Sequence, residues 1–282
     1  MNKPNFFIVG APKCGTTALA SYLSAHPDIF LATPKEPHFF LHPSATNRKI
    51  VEETHYLKIF RHANPGMSIG EASVWYLYSN HAREAIYRFN PDAKIIAMTR
   101  NKADFVASLH SQLLFSQVET EVDLSTAWAL RKRRRPRDSG CTIEENEEWR
   151  LMYGELVQQE KYIARYQQLF GPSNVLVISH ESIVEDTKAI YKQILSFLNI
   201  SDDYREDFPR VNSNKVHKSK VVRSFLRSAA QQRWAVSLLR TVKARLGIGS
   251  FGLYRYFATL NVKEVPRDPV PETLRREIDN YS

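Results

Sequence analysis

Cysteine is nearly absent from this chain, with only Cys14 and Cys141 among 282 residues. Two thiols make neither a disulfide framework nor a cysteine-rich zinc cluster, and such scarcity fits a reducing compartment. Long apolar runs are missing too. No stretch approaches the roughly 18 to 20 residues that cross a bilayer. The run Phe6–Val9 is too short for a secretory signal core and has no cleavage region behind it. The expectation is a cytoplasmic protein without a membrane partner. Internal repeats and low-complexity linkers are also lacking, which leaves one domain over residues 1–282 as the simplest organisation. His55, His62, His110 and His217 stand at intervals that suit no metal site, so no metal is expected.

What is present is an ordinary core fraction and an excess of positive charge. Hydrophobic residues make up 43% of the chain, enough for one well-packed core. The formal net charge is +9, with a concentration in Arg-Lys-Arg-Arg-Arg-Pro-Arg at 131–137. A basic balance points to an anionic partner. A nucleic-acid surface would interleave aromatics with these cations or carry a known module. The run does neither, so no nucleic acid is expected, and a solvated basic loop explains the run equally well.

Along the chain, short apolar runs alternate with helical patterns. Phe6-Phe-Ile-Val9 before Gly10, Lys94–Arg100 and Val175–Ser179 read as strands. Helices are expected from Thr16 to about Ala25, after Arg100 with Phe105, Leu109 and Leu113 at four-residue spacing, from about Trp149 to Phe170, and over Ala189–Ile200. Residues 29–40 read as an extended piece broken by Pro34 and Pro37, and residues 42–49 and 116–145 as surface connections. The alternation predicts an α/β fold with a central, mostly parallel sheet flanked by helices in three layers.

The most informative stretch is Gly10-Ala-Pro-Lys13-Cys14-Gly15-Thr16-Thr17. An NTP-binding loop reads G-x-x-x-x-G-K-[ST], with its lysine after the second glycine. Here the glycine spacing and the strand–loop–helix setting are kept, but Thr16 follows Gly15 and the lysine has moved onto the loop as Lys13. Backbone N–H groups at Cys14, Gly15 and the helix start can still cradle a phosphate. This pattern suits a ligand with one phosphate in the cradle and a transferable group attached. Lys13 would sit at the bridging oxygen, and Thr16 and Thr17 would bond the phosphate oxygens. The second strand ends in Arg100 rather than a magnesium-binding aspartate. Ser108 lies eight residues on, about two helical turns, so that Arg100 and Ser108 can share a second phosphate.

These two stretches resemble the sulfotransferases that use 3′-phosphoadenosine 5′-phosphosulfate (PAPS). Pro12–Leu19 is similar to their 5′-phosphosulfate loop, and Arg100–His110 to their 3′-phosphate motif. The likeness is strong over residues 5–110, weaker over 150–200 where a helix, a strand and His-Glu-Ser-Ile follow in order, and faint beyond. Glu36-Pro-His38-Phe-Phe40 resembles a segment of the branch that includes heparan sulfate sulfotransferases and many bacterial enzymes. The resemblance implies a P-loop-like fold, PAPS as donor, 3′-phosphoadenosine 5′-phosphate (PAP) as product, Glu36 as catalytic base and His38 as its assistant. Two positions depart from the heparan 3-O-sulfating pattern: Leu41 stands where an acid is expected, and Ala72 where a substrate-side lysine is expected. A small-molecule acceptor is therefore expected before a glycan.

Two other readings compete. A small-molecule kinase needs a lysine after Gly15 and a magnesium carboxylate. A binding module for nucleic acid or sulfated polysaccharide rests on residues 131–137 and leaves both phosphate motifs unexplained. Trp75, Tyr76 and Tyr78 suit either an acceptor pocket or the core, and Asn214–Lys220 either a cover for the nucleotide or a solvated turn.

Overall fold

In the computed structural model of this chain, Phe6–Gly10 (β1) is the middle strand of a five-stranded sheet. Its composition explains the position. A parallel strand with neighbours on both edges and layers on both faces needs a continuous apolar run, and Phe6, Phe7, Ile8 and Val9 are all fully buried. Each such side chain contributes about 1.5–3 kcal/mol on burial. The structure describes residues 2–43, 50, 52–134, 147–209, 215–217, 262–264 and 268–281. The chain divides into two compact units, Met1–Asn212 with Val270–Ser282, and Ser213–Pro269.

In the larger unit β1 is followed by α1 (Thr16–Leu23), β2 (Ile29–Leu31), α2 (Glu53–Lys58), β3 (Ser68–Ala72), α3 (Asn80–Phe89), β4 (Lys94–Thr99), α4 (Lys102–Ser116), α5 (Leu124–Ala129), α6 (Tyr153–Leu156), α7 (Gln159–Phe170), β5 (Val175–Ser179), α8 (His180–Glu185), α9 (Thr187–Phe197) and α10 (Glu272–Asp279). The strand order is β2-β3-β1-β4-β5, all parallel. Phe7 pairs with Glu71 on one side and Ile95 on the other. The register with β4 slips between Ile8 and Gly10, a bulge at the carboxyl end of the central strand. After β1 the chain serves strands on one side of the sheet, and after β4 it serves the other side. The carboxyl ends of β1 and β4 thus flank a topological switch point, where open α/β sheets bind ligands.

The expected α/β fold with its parallel sheet is what the chain adopts. The expected single helix over 149–170 is broken into a 3-10 turn at Glu147–Leu151, α6 and α7. Met152 and Gln158 leave helical dihedrals, with ψ of 63° and 53°. Gln159 turns inward, and its Oε1 accepts the Arg100 N–H at 3.0 Å. The expected surface connection 116–145 contains α5, whose Trp128 is buried, while residues 135–146, with Cys141, lie outside the described ones. Trp75, Tyr76 and Tyr78 belong to the core, at 9%, 0% and 2% exposure.

The basic run begins as part of the fold. Arg131 pairs with Glu277 at 2.8 Å and lies over the Trp128 ring, and Arg134 grips the buried Glu119 through two bonds of 2.6 and 3.0 Å. α10 is docked on α4 by Asp279, which accepts the Ala103 N–H, and by an Arg275–Asp104 pair at 2.8 Å. In the smaller unit Lys215–His217 (β6) pairs antiparallel with Val262–Glu264 (β7). The rest of Asn214–Lys220 lies outside the described residues. No described helix is long and apolar enough to cross a membrane.

Candidate active site

The loop after β1 is built around two glycines that carry φ values of +139° and +90°, a region L side chains rarely enter. A Cβ on Gly10 would come within 2.3 Å of the Val74 carbonyl oxygen, so the loop passes where only glycine fits. Gly15 caps α1 without a side chain, and the first turn of α1 holds no acid. The N–H groups of that turn thus face an anion-favouring field without a competing carboxylate. The loop is anchored across the switch point: Ala11 N–H donates to Met98 O at 2.7 Å, and Arg100 Nη1 donates to Lys13 O at 3.0 Å. Arg100 Nε is buried without a hydrogen-bond partner among the described residues. Both expected phosphate stretches therefore meet physically.

Lys13 itself, at φ 66°, sends Nζ to Gln112 Oε1 on α4 at 3.2 Å. Gln112 is one turn beyond Ser108, which is buried in the same helix. The i, i+4 relation to Ser108 is the signal that could have found Gln112 in the sequence. Cys14 is fully buried, with Sγ against Pro12 O at 3.5 Å. Burial pushes its thiol far up, and the charges of Arg100 and Lys13 only partly oppose this, so it is no thiolate nucleophile. His180, at the start of α8, packs against Gly15, where an added Cβ would meet its Cδ2 at 3.3 Å. Burial first, then the Arg100 charge, lower its pKa and favour the neutral ring.

The carboxylate arrives on a strap between β2 and α2. Glu36 and His38 both lie in the left-handed region, at φ 62° and 55°, on either side of Pro37. Non-glycine residues there cost about 1–3 kcal/mol each and persist only where surroundings hold them. Here the strap is bonded to the end of β3 and beyond. Glu36 N–H donates to Ala72 O (3.1 Å), His38 N–H to Ser73 Oγ (3.3 Å) and Phe40 N–H to Tyr76 OH (3.1 Å). Ser73 in turn donates to the fully buried Glu71 at 2.6 Å, which also accepts from Tyr56 OH. Burial raises the Glu71 carboxyl to about 7, although Ser73 and Tyr56 stabilise its charged form. Leu41 and Ala72, where the heparan 3-O-sulfating pattern differs, are 1% and 2% exposed.

Glu36 lies between Lys35 and His38. Lys35 Nζ is 3.0 Å from Oε1, and His38 Nε2 is 3.5 Å from Oε2. Burial alone would raise its pKa, but the hydrogen bond from His38 and the charge and hydrogen bond of Lys35 prevail and hold it at about 2. Lys35 also reaches Thr16 Oγ1 at 3.4 Å and Thr17 Oγ1 at 3.3 Å. The structure thus brings Thr16, Thr17, Lys35, Glu36 and His38 into one cluster, and Lys13, Arg100, Gln112 and the loop backbone into another beside it. Lys35 escaped the sequence reading because a lysine beside an acid looks like any solvated pair. Among the described residues no group of three or more histidine, cysteine or acidic side chains could hold a metal.

A glycine-lined anion cradle at a sheet switch point, faced by a carboxylate, defines a group-transfer domain of the P-loop-like class. The family model for the sulfotransferase domain matches residues 3–245, and the chain belongs to that family. Curated relatives include carbohydrate sulfotransferase 15 of Mus musculus, 30% identical over 40% of this chain and 27% of that protein. Another is heparan sulfate glucosamine 3-O-sulfotransferase 6 of Homo sapiens, 27% identical over 70% of this chain and 52% of that protein. The chain thus spans between about a quarter and a half of the curated relatives it matches. A solved sulfotransferase from Alicyclobacillus acidocaldarius superposes with a TM-score of 0.65 at 28% identity, covering 90% of this chain and all of that one.

Proposed function

We propose that this domain transfers the sulfuryl group of PAPS to a hydroxyl or nitrogen of a small-molecule acceptor and releases PAP. The observation that carries the reading is the juxtaposition of Glu36 with the threonines of the β1–α1 loop through one ammonium, Lys35. It supports a base on one side of a short gap and a phosphate cradle on the other. The residues fit the donor at both ends. Gly10 and Gly15, at positive φ, give the loop the turn that leads its backbone into the first N–H groups of α1, and the buried, unpartnered Nε of Arg100 suits a second phosphate.

In the reaction the acceptor's oxygen or nitrogen forms a bond to sulfur as the bond from sulfur to the 5′-phosphate oxygen breaks. That electron pair stays on the phosphate, and Glu36 takes the acceptor proton. Lys13, Thr17 and loop N–H groups face the charge that gathers on the leaving oxygen, electrostatic preorganisation of the usual kind. Thr16 and Cys14 and Gly15 N–H groups hold the phosphate, Arg100 and Ser108 the 3′-phosphate, and His38 orients Glu36. Positioning and charge stabilisation supply most of the acceleration, as in phosphoryl transfer.

The small-molecule reading is supported by apolar burial at Leu41 and Ala72, where acceptor-side charges are expected for the heparan 3-O-sulfating pattern. The names of the curated relatives favour a second reading, a carbohydrate acceptor. Thermal shift tests the donor: PAP should raise Tm by several degrees, while ATP with magnesium and an oligonucleotide should not. Equal protection by ATP and magnesium would return the kinase reading. Radiolabelled PAPS with panels of small alcohols, amines and oligosaccharides then separates the two acceptor classes.

A further inference from the structure

In that reading sulfuryl transfer calls for positive charge in three places, and two are already assigned. Lys13 of the loop serves the leaving oxygen, and Arg100, which follows β4, the far phosphate. The third place is the sulfuryl group itself, whose oxygens must pass between the phosphate cradle and the acceptor. Lys35 stands at that junction. Its ammonium is within 3.3 and 3.4 Å of the two threonine hydroxyls on the cradle side and 3.0 Å from Glu36 on the acceptor side. It has three N–H donors, each matched to one of these oxygens. Its side chain is about a quarter exposed. The strap that presents it is pinned by Glu36 N–H to Ala72 O and His38 N–H to Ser73 Oγ, so the lysine approaches from a fixed direction. Lys13, by contrast, reaches α4 through Gln112.

We propose that Lys35 is a further catalytic residue, whose ammonium binds the sulfuryl oxygens of the donor while it stays paired with Glu36. This rests on the sulfuryl-transfer reading above. No bond forms or breaks at Lys35, and its proton stays in place. Its work is to neutralise the oxygens of the group in flight and to keep the base aligned with the incoming acceptor. Because PAP has lost the sulfuryl group, Lys35 distinguishes the donor from the product.

The experiment is calorimetric titration of PAPS and of PAP, without acceptor, into wild type, Lys35→Met and Lys35→Arg. PAP affinity should stay within about threefold in all three, since its phosphates rest on the loop, Arg100 and Ser108. PAPS affinity should fall by about tenfold or more in Lys35→Met, the scale of one charge-assisted hydrogen bond set, and recover in part in Lys35→Arg. Turnover of Lys35→Met should fall by about 10²-fold. An unchanged PAPS-to-PAP affinity ratio in Lys35→Met, whether both ligands bind normally or both weaken alike, overturns the proposal while leaving the transfer reading intact. Wild type that binds neither ligand removes both. Retained PAP binding reports that each variant is folded. Should Lys35→Met fail to fold, the same ratio measured in Lys35→Gln decides the question.

Discussion

As the proposed base, Glu36 meets two opposing demands. A general base works best with a pKa near the operating pH, yet Lys35 and His38 hold this carboxyl at about 2 against the effect of burial. The hydrogen bond from His38 and the Lys35 ammonium thus keep the acid ionised and aimed at the expense of basicity. Since the shift is downward, Glu36 is a carboxylate at every pH above roughly 3, and it should give kcat/KM no acid limb between pH 4 and 6. Glu36→Gln should lower kcat by about 10²–10⁴-fold, the usual worth of a positioned base, with PAP affinity nearly unchanged. Lost PAP binding in that variant would make Glu36 a structural residue, and a wild-type inflection near 4.5 that disappears with it would contradict the hold of Lys35 and His38 on the carboxylate. The meeting of the Lys13 loop with Arg100 was legible in the sequence, because each stands directly after a readable strand. The contact of Lys35 was not, because its partner Thr17 is 18 positions away, and Gln112 was missed although it stands one turn beyond Ser108.

At the scale of elements, β1 and β4 were readable and β3 was not, for one reason. Phe6–Val9 and Ile95–Met98 are apolar throughout, whereas Ser-Ile-Gly-Glu-Ala carries a glycine and a carboxylate in its middle. Gly70 is there because the Phe6 ring occupies the space of its Cβ, and Glu71 because the strap is fastened through Ser73. The helix expected over 149–170 failed at its hinges, where Gln159 bonds to Arg100 rather than continuing a solvent-facing surface. The loop makes the sharpest prediction at this scale. Gly10→Ala must place a Cβ 2.3 Å from a backbone oxygen at φ +139°, and nothing there is a flexible side-chain end. It should cost about 2–4 kcal/mol, strain and displacement together, and abolish PAP binding. Gly66 shares a positive φ of 88°, but its Cβ would meet nothing within 4 Å. Gly66→Ala should cost about 1 kcal/mol and leave binding intact. Urea unfolding of the two variants compares them directly, and equal losses would show that crowding at Gly10 is not what the loop depends on.

For the molecule as a whole, the charge excess is less available than its count suggests. Arg131 and Arg134, which open the basic run, are paired within the fold to Glu277 and Glu119, and a net charge of +9 cannot by itself be read as a nucleic-acid surface. The charge with the larger consequence for stability is the buried acid that fastens the strap. Glu71 is fully buried, faced by Tyr56, Ser73 and Tyr76, and its carboxyl is raised from 4.5 to about 7, with burial as the first cause. The sign of the linkage follows. Below pH 4.5 the group is protonated folded and unfolded, so it contributes no pH dependence. Between 4.5 and 7 the unfolded chain ionises while the native one keeps its proton, so stability falls as pH rises, by at most about 1.4 kcal/mol per unit. Above 7 both states are ionised and the loss is complete. Glu71→Gln removes this ionisation while keeping the shape of the protonated form. Its stability relative to wild type should therefore rise from pH 5 to pH 8, by roughly 2–3 kcal/mol in urea unfolding. Comparing the variant with wild type at each pH cancels the opposite trends of Glu36 and Glu119, whose pKa values are lowered. A difference that stays the same at pH 5 and pH 8 would mean that Glu71 ionises as readily inside the fold as outside it, with Tyr56 and Ser73 fully replacing the water it lost.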